Sequence, residues 1–504
     1  MKKILCGSLV LSIIMSILFW HKSPGISVII FIIPLILLIL YSLRENQKIK
    51  NKNGIYWSIP IILLSLTYFI FNNILFQLLN VPIIIGLIII MCMDITETQI
   101  SENRFIRNII SKVFKPFSNF KSVLKILKLK EKIEEQKETQ NDKIIFAKKL
   151  IKSIIISIPL IIIVILLLSS ADSVFENIFH NIPYYLSKIF DNTTIIDILW
   201  RIAWIIFSFL YISGFILIFI KEKEDKFVKT AEKKSNKVSV FTQNTILILL
   251  NIIYLIFSII QFKYLFISAG KSSNFDYATY ARTGFFQLMF VSLINFGILK
   301  IGKIEQKEKL NTVLKILLVV FTLVIIISAV FRMYLYEQEY GYTYLRLFVY
   351  FILVTETLIL IPILMNLLGK NLNIFKLSLK IIVTMYVILN FINIDLVIAK
   401  NNINRYLKDP ENNKLDIIYI MNSTGTDAIK EKIKILNQSE EGLSTEAKER
   451  MSSIKRTTKI YLKGNKDHYQ NKETKWQEFN LSKYNAEKAL KDVDLNINEF
   501  YYNK

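Results

Sequence analysis

The sequence predicts an all-α integral membrane protein with about eleven transmembrane helices and a small extracytoplasmic helical domain at its C-terminus. Three observations lead to this fold class. The chain has 504 residues, 53% of them hydrophobic, and its apolar residues form long, nearly uncharged runs. Lysine and arginine are concentrated in alternate connections between those runs, and no such run occurs beyond about residue 396. This distribution excludes both a soluble protein with a single core and a disordered basic protein.

Eleven apolar segments approach or exceed the roughly 17–25 residues that a helix needs to cross the hydrocarbon of a bilayer. We expect helices throughout, because lipid cannot satisfy an open strand edge and no alternating pattern of period two is present. The segments are Ile4–Trp20, Ile26–Leu43, Ile55–Phe71, Ile74–Met93, Ser153–Ser170, Ile195–Ile220, Thr245–Ser268, Gly284–Leu299, Thr312–Phe331, Arg346–Leu368 and Leu377–Ile394.

The connections between these segments differ strongly in positive charge. With the N-terminus inside, the inner connections contain 33 basic residues and the outer connections contain 6. Cytoplasmic connections of membrane proteins carry such an excess. We therefore expect a bacterial cytoplasmic-membrane protein with a cytoplasmic N-terminus and an extracytoplasmic C-terminus. The net charge of +23 is mainly this topology signal, which fits contact with anionic lipid at the cytoplasmic face and gives no reason to invoke nucleic acid.

The same distribution divides the chain into four regions. Residues 1–93 contain helices 1–4, residues 94–152 form a basic cytoplasmic loop, residues 153–396 contain helices 5–11, and residues 397–504 form the C-terminal domain. The loop contains an amphipathic stretch in which phenylalanine and aliphatic residues alternate with lysines. Such a helix can lie in the headgroup plane with its lysines near anionic lipid, although a connector that only satisfies topology is the alternative.

The C-terminal region has mixed polarity, and about 100 residues can bury a small core. We expect helices at Leu415–Met421, Asp427–Asn437, Thr445–Lys463 and Ser482–Lys491. Thr426, Ser444 and Ser482 are expected as N-terminal caps, and Gly464 is expected to end the third of these helices.

Motifs that carry known chemistry are absent from the sequence. No glycine-rich phosphate loop, His-Glu-x-x-His, Cys-x-x-Cys or Gly-x-Ser-x-Gly occurs, and the chain contains only 3 histidines. We therefore predict no catalytic residue, no metal site and no cofactor, and we expect a protein that is not an enzyme.

Two ionisable residues fall inside the apolar segments. Glu356 lies near the middle of the tenth segment and Arg201 lies in the outer part of the sixth. A carboxylate in the bilayer is costly, so it should be protonated, paired or facing a wet cavity. A polar pathway is one interpretation, and polar contacts that join helices are the other. For the amides Asn251, Gln287 and Asn295 we favour the second.

Aromatic residues and single charges cluster in the outer connections. The candidate binding residues there are Asp172, Tyr280, Arg282, Gln287, Tyr340 and Arg346. An arginine at an outer face can hold a lipid phosphate, a ligand anion or an acidic side chain. Aromatic belt residues at the membrane interface are the simpler interpretation.

The same positions carry a family resemblance. Ser170-Ala171-Asp172-Ser173-Val174-Phe175, Tyr280-Ala281-Arg282-Thr283-Gly284-Phe285-Phe286-Gln287 and Tyr340-Gly341-Tyr342-Thr343-Tyr344-Leu345-Arg346 resemble elements of domain of unknown function 4173, akin to 4153. Tyr342 departs from the usual leucine. Asn393-Ile394-Asp395 and Trp476-Gln477-Glu478-Phe479-Asn480 resemble the elements that follow the membrane region. The resemblance implies an integral bacterial membrane protein and no particular activity.

Three functional hypotheses remain open. The first is a non-enzymatic envelope protein that binds an envelope protein or a small ligand at its outer face and couples it to the membrane helices. The second is a transporter or lipid-handling protein with a midplane polar site around Glu356. The third, a membrane enzyme that uses Asp172 or Glu339, has the least support because no paired acid and base can be identified.

Overall fold

The computed structural model describes residues 2–97, 105–126, 193–221, 239–263, 277–300, 308–471 and 474–495. These residues form helices and short connections, and no strand occurs among them. The helices that precede the C-terminal region are α1 (Lys2–Phe19), α2 (Ile26–Glu45), α3 (Ser58–Ile70, after the 3-10 turn Lys52–Trp57), α4 (Ile74–Ile95), α5 (Phe105–Ile126), α6 (Thr193–Lys221), α7 (Val240–Gln261), α8 (Tyr277–Lys300), α9 (Lys309–Tyr340), α10 (Tyr344–Leu367) and α11 (Ile374–Phe391).

Nine helical stretches within the described ranges are long and apolar enough to span a membrane. They are Lys2–Phe19, Ile26–Glu45, Lys52–Ile70, Ile74–Ile95, Ile196–Lys221, Val240–Gln261, Lys309–Tyr340, Tyr344–Leu367 and Ile374–Phe391. They coincide with nine of the segments predicted from sequence. Gly284–Leu299 forms a shorter apolar helix, and Ser153–Ser170 lies outside the described residues. The chain is a multi-pass membrane protein.

Helix α7 shows why these helices suit lipid rather than water. Its buried side chains are Leu247 together with the polar-tipped Asn251, Tyr254, Ser258 and Gln261. Its exposed side chains include the aliphatic Leu249, Ile252, Ile253, Ile256 and Ile259. This distribution is the reverse of that in a soluble protein, and it places apolar atoms where acyl chains surround the helix.

The chain divides into two compact units. The first contains Met1–Ser23, Ile30–Ile55 and Ile89–Lys223, and the second contains Pro24–Ile29, Tyr56–Ile88 and Glu224–Lys504. In the first unit α5 packs along α6, where Asn119 donates to the carbonyl of Gly214 at 3.2 Å and Tyr211 donates to the carbonyl of Val113 at 3.2 Å. Gly214 permits this approach, because an added Cβ would lie 2.7 Å from the Pro116 carbonyl oxygen.

The amphipathic stretch noted in the sequence at 112–130 is helical in α5 as far as Ile126, and its remainder lies outside the described residues. An apolar stripe on α5 remains exposed at Ile106, Ile110, Phe114 and Phe117, spaced as one helical face. Lys112 is buried, and its ammonium lies 4.6 Å from the centre of the Phe219 ring on α6.

The second unit is built on the long helix α9, which packs against α7, α8 and α10. Its core positions Leu318, Ile325, Ala329 and Met333 recur at helical spacing and are buried. In the same unit the chain continues from α11 into the C-terminal helices. These are α12 (Ile394–Lys408), α13 (Ile417–Ser423), α14 (Ile429–Leu436, after the 3-10 turn Thr426–Ala428), α15 (Thr445–Asn471) and α16 (Leu481–Lys491, after the 3-10 turn Trp476–Glu478).

The C-terminal helices follow the sequence prediction with three differences. Thr426 does not cap a helix, since it lies in the 3-10 turn Thr426–Ala428 and the cap position of α14 is Ala428, which makes no side-chain hydrogen bond. Helix α15 continues through Gly464 to Asn471, because Gly464 lies in open space and nothing there requires the chain to turn. Helix α16 is capped by Asn480 rather than by Ser482, since the Asn480 side chain accepts from the backbone amide of Lys483 at 3.0 Å. Ser444 caps α15 as expected, through the Ala447 amide at 3.3 Å.

Candidate functional site

The described residues bring a buried polar cluster together at the base of the C-terminal helices. Its members come from three places: the connection between α3 and α4, the start of α10, and the C-terminal helices themselves. Asn73 and Asn393 each cap a helix, accepting from the amides of Phe76 and Leu396 at 3.1 Å. These caps fix the two connections, because an N-terminal cap sets the direction in which a helix starts.

Asp395, in the first turn of α12, is the centre of this cluster and is only 2% exposed. Its carboxylate accepts from the Asn73 side-chain amide at 3.0 Å and from the Gly425 backbone amide at 2.9 Å. It also accepts from the Tyr344 hydroxyl at the start of α10. Burial disfavours the charged carboxylate and raises its pKa to about 6, although the Gly425 hydrogen bond opposes that shift.

Lys432 lies on α14 and is 0% exposed. Its ammonium donates to the Thr424 carbonyl at 2.7 Å and lies 4.2 Å from the centre of the Tyr461 ring. Burial lowers the pKa of Lys432 to about 7, and attraction to Asp395 opposes that shift. The cluster therefore contains a buried acid and a buried base whose pKa values have moved toward neutrality.

Asp427 ties the connection between α3 and α4 to the C-terminal helices a second time. Its carboxylate accepts from the Asn72 backbone amide at 3.0 Å, and the Asn72 side chain donates to the Thr426 hydroxyl at 3.1 Å. Thr426 in turn is hydrogen-bonded to Ser482 at 2.8 Å. Burial raises the pKa of Asp427.

A small cleft lies beside Asp427 with a volume of about 20 Å³. It is lined by Thr67, Phe71, Asn73, Phe76, Gln77, Asn390, Ile392, Asn393, Ile394 and Asp427. A volume of this size holds about one water molecule. The cleft can therefore hydrate the polar cluster, but it is too small for an organic ligand.

The predicted element Tyr340–Arg346 forms the connection between α9 and α10 and contacts the C-terminal helices. The Tyr342 backbone amide donates to the Asn402 side chain at 2.8 Å, and that side chain donates back to the Tyr342 carbonyl at 2.8 Å. Gly341 has a φ of 74°, and an added Cβ would collide with the Asn402 side chain. Both reasons require glycine at this position.

Arg346, a predicted binding residue, is buried and holds the end of α9. Its guanidinium donates to the carbonyl of Tyr340 at 3.0 Å and to that of Gly341. It also lies over the Tyr336 ring, 4.2 Å from the centroid. Its charge therefore stabilises a helix C-terminus, where the carbonyl dipoles favour a cation. The Tyr340 side chain is exposed.

The predicted element Tyr280–Gln287 begins α8. The side chains of Tyr280 and Arg282 lie outside the described residues, as does Asp172. Gln287 is exposed, whereas Phe285 is buried and stacks on Tyr336 of α9 with 6.1 Å between ring centroids. Phe285 and Arg346 thus both contact the Tyr336 ring.

The two ionisable residues predicted within the membrane belong to different units. Arg201, in the first unit, donates to the Ser16 hydroxyl of α1 at 2.9 Å. Glu356, in the second unit, is buried and accepts from the Ser292 hydroxyl of α8 at 2.5 Å. The second carboxylate oxygen of Glu356 accepts no hydrogen bond from the described residues.

Two of the three amides join helices, as we favoured from sequence, whereas the Gln287 side chain is exposed. Asn295 accepts from the Tyr254 hydroxyl at 2.7 Å and donates to the Thr322 hydroxyl at 3.0 Å. Asn251 donates to the Leu314 carbonyl at 3.0 Å. These bonds link α7, α8 and α9 inside an apolar environment, where such contacts are worth about 1 kcal/mol each.

Sequence analysis missed Lys432, Asp427 and the Asn72–Asn73 pair. A signal for Lys432 was available, because Ile429, Lys432 and Ile435 share one face of a short amphipathic helix, with all three side chains buried. The sequence showed Asn72 and Asn73 as a two-residue connection, but not that the chain returns to it more than 300 residues later.

The comparisons with known proteins give one result. A search of the curated proteins and of the solved structures finds no match. The family model described as a domain of unknown function (DUF4153) matches residues 58–435, a range that includes α3–α13, α14 except its last residue, and Asp395 with its hydrogen-bond partners. Because this match covers about three quarters of the chain, the protein belongs to the DUF4153 family.

Proposed function

We propose that this protein couples binding of an envelope protein or a small ligand, outside the bacterial cytoplasmic membrane, to its membrane helices. The proposal gives it no enzymatic activity. The observation that carries it is the hydrogen bonding of Asp395, which joins Asn73 and Tyr344, at the ends of membrane helices, to Gly425 among the C-terminal helices. A buried polar network has few alternative arrangements, so a displacement on one side must be accommodated on the other.

The orientation in this proposal follows from charge. The N-terminus and the helix α5 lie in the cytoplasm, and the C-terminal helices lie outside as a compact domain. The apolar stripe of α5 at Ile106, Ile110, Phe114 and Phe117 is exposed, which supports contact with an anionic leaflet. The outer motifs also favour a relationship with domain of unknown function 4173.

The outer residues have defined roles in the proposal. Asp172, Tyr280, Arg282, Gln287 and Tyr340 contribute to the contact with the ligand or partner. Arg346 acts through the connection between α9 and α10, since its guanidinium holds the carbonyls of Tyr340 and Gly341. The same connection contacts Asn402 of α12. A displacement that a bound ligand causes in this connection is therefore transmitted through the backbone of α12 to the polar cluster.

Labelling in intact cells tests the proposal. A cysteine is introduced at Ser453, which is exposed on α15, in a Cys6→Ser, Cys92→Ser chain and is reacted with a membrane-impermeant photoreactive maleimide. We expect labelling without permeabilisation and, after irradiation, one discrete adduct. Formation of that adduct should slow hydrogen exchange at residues 72–73 and 341–343, because the polar cluster ties these connections to the C-terminal helices.

The control is Asn53→Cys in the predicted inner connection 44–54, which should react only after permeabilisation. Labelling of position 453 only in permeabilised cells would overturn the orientation. An adduct that leaves exchange in both connections unchanged would remove the coupling.

A second candidate function, a proton-linked transporter, is favoured by the environment of Glu356. This carboxylate is buried in the membrane region, yet the described residues supply it with the single hydrogen bond from Ser292. A buried acid with a free oxygen suits a group that gains and loses a proton.

For this candidate we expect Glu356→Gln to abolish proton flux into proteoliposomes that contain a pH-sensitive dye, because glutamine keeps the shape but cannot titrate. The control Glu449→Gln changes an exposed acid on α15 and should leave flux unaltered. Flux that persists in the Glu356 variant, at normal expression, would eliminate the transporter.

A further inference from the structure

In and beside the segment that joins α15 to α16, polar side chains are buried while aromatic side chains are exposed to the surroundings. Gln477 and Glu478 are buried, whereas three large aromatic side chains beside them are exposed: Trp476 by 59%, Phe479 by 40% and Tyr484 by 51%. Phe479 and Tyr484 lie 6.0 Å apart between ring centroids. A group of large exposed aromatic rings marks a surface that contacts a membrane or another protein.

The structure fixes this segment at the ends of two membrane helices. The Asn480 side chain donates to the carbonyls of Tyr68 and Phe71, both at 2.8 Å, where α3 ends. The Ile26 backbone amide, at the start of α2, donates to the Phe479 carbonyl at 3.0 Å.

The approach to α2 depends on Gly25. A Cβ added there would lie 2.7 Å from the backbone carbonyl oxygen of Phe479. On α3 the Phe69 ring lies 5.9 Å from the Phe479 ring. The exposed aromatic surface is therefore continuous with the apolar surface of a spanning helix at its end.

We propose that Trp476, Phe479 and Tyr484 form an interfacial anchor that inserts into the headgroup–acyl boundary of the bilayer and holds the C-terminal helices against the membrane. The ends of spanning helices lie at this depth, and amphipathic aromatic rings concentrate there because the ring body is apolar while the indole N–H or phenol O–H stays hydrated. Fixing the segment to α2 and α3 is what brings the three rings to that depth. The anchor does not depend on which side of the membrane the domain occupies.

Depth-dependent fluorescence quenching tests the anchor. The full chain is prepared with Trp20, Trp57, Trp200 and Trp204 replaced by phenylalanine, so that Trp476 is the only tryptophan. It is reconstituted in phosphatidylcholine–phosphatidylglycerol vesicles with bromine either near the glycerol backbone or near the chain ends. We expect shallow bromine to quench Trp476 more strongly than deep bromine, and aqueous iodide to quench it weakly.

The matched control moves the tryptophan to Ile460, which is exposed on α15, in a chain that also carries Trp476→Phe. Iodide should quench this residue several-fold more strongly than Trp476, and bromolipid should not quench it. Strong iodide quenching of Trp476 without bromolipid quenching would overturn the anchor. Protection of Trp476 from both quenchers would overturn it as well, in favour of a protein partner on the aromatic surface.

A spin label gives a second measurement, on a protein that retains all five tryptophans. A label at Tyr484→Cys, in the chain without Cys6 and Cys92, should be more accessible to oxygen than to a water-soluble nickel complex. The reverse order of accessibility would contradict the anchor.

Discussion

Replacing Asp395 with alanine is expected to release the C-terminal helices from the ends of the membrane helices. The change removes the acceptor for Asn73, Tyr344 and the Gly425 amide, and it leaves Lys432 without the carboxylate that favours its charged form. Each of the three buried donors left without an acceptor costs about 1–3 kcal/mol. We expect the free energy of opening of α12–α14 to fall by about 3–5 kcal/mol.

Native-state hydrogen exchange of the full chain in lipid nanodiscs measures this loss, as the drop in protection of amides in α12–α14. The apolar core of α9, around Leu318 and Ile325, should keep its protection, because its side chains pack among membrane helices. The control is Asp467→Ala, an exposed aspartate on α15, which we expect to change protection by less than about 0.5 kcal/mol. Equal protection in the two variants would show that Asp395 does not join these parts of the chain.

The second large effect is a pH dependence with opposite contributions from Asp395 and Lys432. The folded pKa of Asp395, about 6, lies above the ordinary aspartate value of 3.8. Its contribution to stability is therefore complete below pH 3.8 and is lost as the pH rises through 6. The folded pKa of Lys432, about 7, lies below the ordinary lysine value of 10.5. Its contribution is complete above pH 10.5 and is lost as the pH falls through 7.

The C-terminal helices should consequently be least stable between about pH 6 and 7, where both buried groups are charged, and should gain a few kcal/mol on either side. Lys432→Met should remove the gain on the alkaline side. Asp395→Asn should reduce the gain in stability on the acid side. The remaining gain comes from Asp427, because burial raises the pKa of that carboxyl as well. The urea midpoint of α12–α14, followed by hydrogen exchange corrected for intrinsic rates at each pH, gives the profile.

Lys432→Met is informative on its own, because methionine fills a similar volume without a charge. Methionine removes the desolvation cost that lowers the pKa of Lys432, while the Thr424 carbonyl loses one hydrogen-bond donor. We therefore expect Lys432→Met to be tolerated near pH 7 while Asp395→Ala is not. If the stability of the Lys432→Met variant still rises above pH 7, the pH dependence belongs to other groups, such as Tyr461, against which the ammonium packs.

The sequence predicted the amphipathic helix more completely than it predicted the contacts of the outer motifs. The periodicity that predicted an amphipathic helix is local, and Phe105–Ile126 contains the part of that stretch which the structure describes. The element Tyr340–Arg346 was recognised as a unit, but its chemistry was not. Arginine and tyrosine there suggested an anion site, whereas Arg346 binds backbone carbonyls and Gly341 makes room for Asn402. The role of Gly341 depends on Asn402, some 60 positions away, whereas the carbonyls that Arg346 binds lie five and six positions before it.

Hydropathy alone determined the class of this protein and most of its spanning helices, because a bilayer requires every backbone group to bond within its own helix and every lipid-facing side chain to be apolar. That requirement applies to each helix separately, so the spanning helices can be identified from a single sequence. Tertiary structure alone decided that Asn72 and Asn73 meet Asp427 and Asp395, that Lys432 is buried beside Tyr461, and that Trp476 is exposed where α3 ends. The burial of a charge and the exposure of an aromatic ring depend on groups distant in the chain, and no local pattern specifies which distant groups will satisfy them.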